Sequence, residues 1–81
     1  MSELTLTPGK LYKSLVILSG FCKEKEQMLC QSLNCPVFML LDIKPVQGET
    51  TKFEAIVLIG KQTYSITLWE ASIDKYIRSI P

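Results

Sequence analysis

Two apolar alternations joined at a glycine constrain this chain more than any other feature. Phe53, Ala55, Val57 and Ile59 recur at every second position, and Tyr64, Ile66 and Leu68 do so again a few residues later. Alternation of this kind puts one set of side chains on one face of a strand. Gly60-Lys61 between the two runs suits a two-residue turn, glycine supplying the positive φ that its first position needs. That turn dictates a register. Phe53 pairs with Leu68, Ala55 with Ile66 and Val57 with Tyr64, all apolar, while Glu54, Ile56 and Leu58 oppose Thr67, Ser65 and Thr63 on the second face. A four-residue loop over 60–63 keeps the same faces. A three-residue loop would set Phe53 beside Trp69 and Ala55 beside Thr67, mixing apolar with polar, and is rejected.

The residues after the hairpin change period. Ile73, Tyr76, Ile77 and Ile80 fall at i, i+3, i+4 and i+7, which predicts a short amphipathic helix with Ser72 as its N-cap and Asp74 in its first turn.

The remainder of the chain reads as strands that complete the sheet begun by this hairpin. Residues 1–8 form an arm ended by Pro8-Gly9. A strand is expected over 10–18, apolar on both sides and ended by Ser19-Gly20. Residues 22–33 turn charged and helix-forming, and a short helix with Cys22, Leu29 and Leu33 on one face competes there with a long ordered loop. Asn34-Cys35-Pro36 ends that excursion, because a residue before proline resists the α region. Residues 37–44 read as a central strand. Val37, Met39, Leu41 and Ile43 share one side, and Phe38 and Leu40 the other. A loop over 45–51 leads to the hairpin.

With 81 residues the chain is one domain, large enough for one modest core. The expected fold is mainly β, a small barrel or curled antiparallel sheet with a short C-terminal helix and a possible helix near 22–33. The order of strand, long excursion, strand, hairpin and short helix resembles an SH3-like barrel, in which the excursion lies near the binding face. The acidic and aromatic pairs of an SH3 peptide groove are missing. The cadence PGKLY near the start, with FEAIVLIG and IDKYI near the end, also resembles small accessory proteins of tailed bacteriophages. That resemblance implies a factor that binds, modulates or inhibits a host protein.

Several chemistries are excluded or disfavoured. The chain has no histidine, which rules out a His-based serine or cysteine hydrolase. Its acids are scattered, and Glu24 and Glu26 are flanked by Lys23 and Lys25 as on a solvated surface. No enzyme and no cofactor are expected. Cys22, Cys30 and Cys35 fit no zinc spacing, so no metal site is expected either. Cys30 and Cys35 are read as small buried residues and Cys22 as the exposed one. Three cysteines suit a reducing compartment, and Met1-Ser2-Glu3 carries no leader features. A cytoplasmic protein is the expectation. Nine basic against eight acidic residues leave a net charge of +1, which argues against a duplex-DNA binder and does little to hold copies apart, so self-association is expected to be tolerated.

The functional reading therefore rests on a surface. Trp69, the single tryptophan, falls by parity on the second face with Thr67, and Lys52 is its cross-strand partner, placed for a cation–π contact. Trp69 is either an exposed anchor for a partner or a cap on the core against Ile73 or Tyr76. Ile56 and Leu58 share its face, with Phe38 and Leu40 as candidate neighbours. Trp69, Lys52, Thr67, Ile56 and Leu58 are the expected partner-binding set of a non-enzymatic protein-interaction module. The alternatives are a structural self-assembling subunit and a single-strand nucleic-acid binder using Lys10, Lys13, Lys23 and Lys25.

Overall fold

The computed structural model describes residues 6–22, 30–48 and 50–80. Among the described residues it is a curled, half-barrel antiparallel sheet with one short helix. The elements are β1 (Leu11–Ser14), β2 (Leu18–Cys22), β3 (Gln31–Leu33), β4 (Val37–Pro45), β5 (Lys52–Ile59), β6 (Gln62–Trp69), α1 (Glu70–Tyr76) and β7 (Ile77–Ser79). The strand order is β3-β2-β6-β5-β4-β1-β7. The central strand, hairpin and helix follow in the expected order, but three short strands precede them where one strand and an excursion were expected, and a short final strand follows the helix.

The hairpin has the register its sequence dictates. Lys52 pairs with Trp69, Phe53 with Leu68, Ala55 with Ile66, Val57 with Tyr64 and Leu58 with Thr63, and Ile59 opposite Gln62 leaves Gly60-Lys61 as the turn. Gly60 has φ +63°, where a side chain would be strained. Ala55, Val57, Tyr64, Ile66 and Leu68 are all buried. They form the core with Tyr12, Cys22, Phe38, Leu40, Ile73 and Ile77.

The strand expected over 10–18 is two strands. Ser14 is fully buried and its hydroxyl bends the chain. Oγ–H donates to the Val16 carbonyl (2.7 Å), and Oγ accepts from the Val16 N–H (3.2 Å). Side-chain bonding of this type competes with a sheet ladder. β1 then pairs with β4, and β2 crosses to β6. The apparent two-sided strand is thereby resolved into two one-sided ones. Gly20 does not end a strand but lies within β2, opposite Ile66.

Three further expectations are corrected. Residues 31–33 are strand, not helix, and Cys22 belongs to β2; the rest of the possible helix near 22–33, residues 23–29, lies outside the described residues. In β4 a bulge between Leu40 and Asp42 shifts the register. An extra residue in one strand reverses the faces beyond it. Ile43 therefore pairs with Ala55 on the core face rather than following Met39. Finally, α1 starts at Glu70, with Trp69 as an N-cap that makes no side-chain cap bond. The Glu70 N–H instead donates to the Thr51 carbonyl (2.8 Å). Ser72 and Asp74 lie inside the helix, which stops at Tyr76 because the next residues pair with β1: Ile77 with Ser14, Arg78 with Lys13 and Ser79 with Tyr12. Long-range ladder bonds win there over helical periodicity.

Candidate protein-binding groove

The sequence of β6 alternates so that Leu68 points into the core while Thr67 and Trp69 point away. Leu68 is buried and Trp69 is 49% exposed. Trp69 is therefore not a buried cap on the core, a place taken by Ile73 of α1, which is 3% exposed. The Lys52 Nζ lies 4.5 Å from the centroid of the Trp69 ring. This contact follows from their register pairing and is worth roughly 0.5–1 kcal/mol at an exposed site. It holds one ring face against a cation and biases the ring toward this rotamer.

Trp69 borders a groove of about 560 Å³ between β2, the end of β6 and α1. Its apolar walls are Ile17, Phe21, Trp69 and Tyr76. They are exposed by 61%, 47%, 49% and 38% respectively, high values for side chains of this size. Each wall has a local cause. Ile17 stands on the bend made by Ser14. Phe21 alternates with the buried Gly20 and Cys22 in β2. Tyr76 is the last residue of α1, turned outward as Ile73 and Ile77 turn inward. Thr67 and Ser19 line the groove as well and offer hydroxyls.

The approach of β2 to β6 that forms this groove depends on Gly20. A methyl group there would stand 2.6 Å from the Ile66 Cγ2 and 3.2 Å from the Ser65 carbonyl oxygen.

The structure divides the predicted binding set. Trp69 and Thr67 line the groove, and Lys52 stands behind them, against the Trp69 ring. Ile56 and Leu58 are half-buried on the same face, but opposite Ser65 and Thr63. These positions lie four and six residues before Trp69, about 13 and 20 Å away at ~3.3 Å per residue. Phe38 and Leu40 are not part of any surface patch. They are 1% and 0% exposed, because their registered partners, Tyr12 and Val57, are core residues. Sequence reasoning missed Ile17, Phe21 and Tyr76, and the signal that could have found Phe21 is its alternation with Gly20 and Cys22.

Of the cationic set, Lys10 and Lys13 are exposed, whereas Lys23 and Lys25 lie outside the described residues. Lys13 sits in β1, separated from β6 by β4 and β5. That is about 14 Å across three strand spacings, so this cation does not interleave with the aromatic walls. The cysteines reverse their expected roles: Cys22 is buried, Cys30 exposed and Cys35 intermediate. Cys22 faces the core because it is the registered partner of Tyr64. Among the described residues no three His, Cys, Asp or Glu side chains gather as a metal ion would need, and no helix is long and apolar enough to cross a membrane.

A scan against protein-family models, a search of curated proteins and a search of solved structures each find no match to this chain.

Proposed function

We propose that this chain is a non-enzymatic protein-interaction module that receives an apolar segment of a partner protein in the groove between β2 and α1. The observation that carries the reading is the state of Trp69. A tryptophan is held by Lys52 at 4.5 Å yet half exposed among Ile17, Phe21 and Tyr76. Aromatic anchors already biased toward their bound rotamer lose less entropy on binding, and tryptophan and tyrosine are enriched where binding energy concentrates. Thr67 and Ser19 would orient the segment through its polar groups. The absence of histidine from the sequence and the scattered acids support a binding rather than a catalytic role. The resemblance to small accessory proteins of tailed bacteriophages makes the partner a host cytoplasmic protein whose surface is occupied.

The test is capture from the host lysate with the wild-type chain and with Trp69→Ala, read beside circular dichroism of both. A partner retained by wild type and lost by a folded Trp69→Ala supports the groove. A partner retained equally by both removes it.

A further inference from the structure

The groove leaves a second apolar feature unused, on the sheet face opposite the core. Leu11, Met39 and Leu58 stand side by side across β1, β4 and β5, each the registered partner of the next. Leu11 is 42% exposed, and Met39 and Leu58 are half-buried. Val37 and the bulged Leu41 extend the row at either side, exposed by 49% and 40%. A contiguous apolar strip on an open sheet face marks a contact surface.

The charges around the row identify what covers it. Lys13, the partner of Val37, stands at one side of the row. Asp42, the partner of Ile56, stands at the other. On the ladder these levels lie two steps from the Met39 row in either direction, about 7 Å each, because the bulge absorbs Leu41 and sets Asp42 opposite Ile56, two residues from Leu58. Lys13 makes no ion pair among the described residues. Asp42 accepts the Ile43 N–H through Oδ1 at 2.9 Å, and its other oxygen is available.

We infer that this face joins two copies of the chain. A two-fold axis running across the strands at the level of Met39 lays the Leu11–Met39–Leu58 row on its own counterpart. The same rotation carries Lys13 of one copy toward Asp42 of the other, on the adjacent strand position, and does so twice, as an isologous contact requires. Sheets packed face to face lie about 10 Å apart, a gap that a lysine stem and a carboxylate can bridge. The net charge of +1 sets up little repulsion between copies. Leu58 lies about 20 Å along β6 from Trp69 by the spacing above, so the dimer leaves the groove open, and a dimer presents two grooves.

Light scattering after size exclusion tests this on the full chain. Wild type is expected at twice the 9.2 kDa chain mass. Lys13→Asp and Asp42→Lys are each expected to weaken the dimer at least about tenfold, because each turns both pairs repulsive. An equimolar mixture of the two variants is expected to recover the dimer. In the mixed pair the introduced aspartate of one copy meets the introduced lysine of the other, and the native Asp42 meets the native Lys13. Met39→Lys, at a half-exposed site, is expected to give a monomer that no mixing rescues. Circular dichroism matching wild type establishes that each variant is folded. If Asp42→Lys loses the bulge and unfolds, Asp42→Asn replaces it and is expected to weaken the dimer by less than Lys13→Asp, with no rescue on mixing. A wild-type chain that stays monomeric up to millimolar concentration overturns the inference, as does a dimer unmoved by these substitutions or a mixture of folded Lys13→Asp and Asp42→Lys that stays monomeric.

Discussion

The ammonium of Lys52 sits 4.5 Å from the centre of the Trp69 ring, and the two residues close the β5–β6 ladder as registered partners. The pairing fixes a large aromatic at the surface without burying it, so its contributions to folding and to binding can be separated. Removing Trp69 is expected to cost about 1–3 kcal/mol of stability, since half of its surface is covered in addition to the cation–π contact, seen as a shift of the urea midpoint at unchanged slope. Loss of partner affinity is expected to exceed tenfold, the range of an interface hot spot. Lys52→Ala should keep most of that affinity and weaken it modestly by freeing the ring. Because Trp69 is the single tryptophan, its fluorescence reports on the groove directly. The free chain should emit close to a solvated indole, and partner binding should shift emission to the blue. A strongly blue-shifted free chain would contradict the exposed groove.

Gly20 supports the same site from beneath. A Cβ there meets the Ile66 side chain at 2.6 Å and the Ser65 backbone at 3.2 Å, so Gly20→Ala must move either the core or β2. Overpacking of this order typically costs about 1–3 kcal/mol. The expected result is a fall in thermal midpoint of several degrees. It should come with weakened partner binding, because Phe21 rides on the strand that is displaced. Gly60→Ala makes the control. Nothing lies within 4 Å of its Cβ position, so only its φ of +63° is strained, at about 1–2 kcal/mol. Binding should be unaffected by that turn change once folding is allowed for.

These two glycines also show what could be read from the sequence. The Gly60 turn is a local event, and parity counted outward from it gives every pair of the hairpin, including Lys52 with Trp69. The route of Gly20 depends on Ser14. A buried hydroxyl bends the chain and sends β2 to β6, and nothing in the apolar run over 10–18 announces that break. The Leu40–Asp42 bulge is equally silent, since one extra residue preserves apolar composition while reversing the faces beyond it. β7 is three residues long and exists only because β1 offers it a ladder. The candidate site divides along the same line. Trp69, Lys52 and Thr67 were legible from a local register. Ile17, Phe21 and Tyr76 reach the groove only through the order of strands in the sheet.

Ser14 can be tested by itself. Its side chain is completely buried and both bonds of the bend use its oxygen. Ser14→Ala leaves the Val16 N–H and carbonyl without these partners, at a cost of about 1–3 kcal/mol. Amide exchange should show the loss as faster exchange over 15–18 than in the β5–β6 hairpin. Uniform destabilisation across both segments would instead mean that Ser14 contributes through packing.

The thiols give a chemical check on burial. Cys30 is exposed and borders the groove, whereas Cys22 is 5% exposed in the core. With a thiol-reactive dye under native conditions, Cys30 should label first. Cys22 should label only through opening of the sheet, at a rate that rises with denaturant. Bound partner should protect Cys30. Fast labelling of Cys22 would place β2 away from β6 and remove the groove.

Nucleic-acid binding makes a distinct prediction. Lys13 of β1 is three strand spacings from the aromatics of β6, about 14 Å, and Asp42 and Glu54 share its sheet face. A single strand bound by phosphate contacts and base stacking requires cations and aromatics interleaved along one path. Labelled oligonucleotides should therefore show at most weak binding at low salt. Lys10→Ala/Lys13→Ala should leave partner capture through the groove unchanged. The alternative predicts an affinity that drops steeply from about 50 to 200 mM salt, because each phosphate neutralised releases counterions. A steep slope that flattens in the Lys10→Ala/Lys13→Ala variant would move the function from the Trp69 groove to the surface around β1.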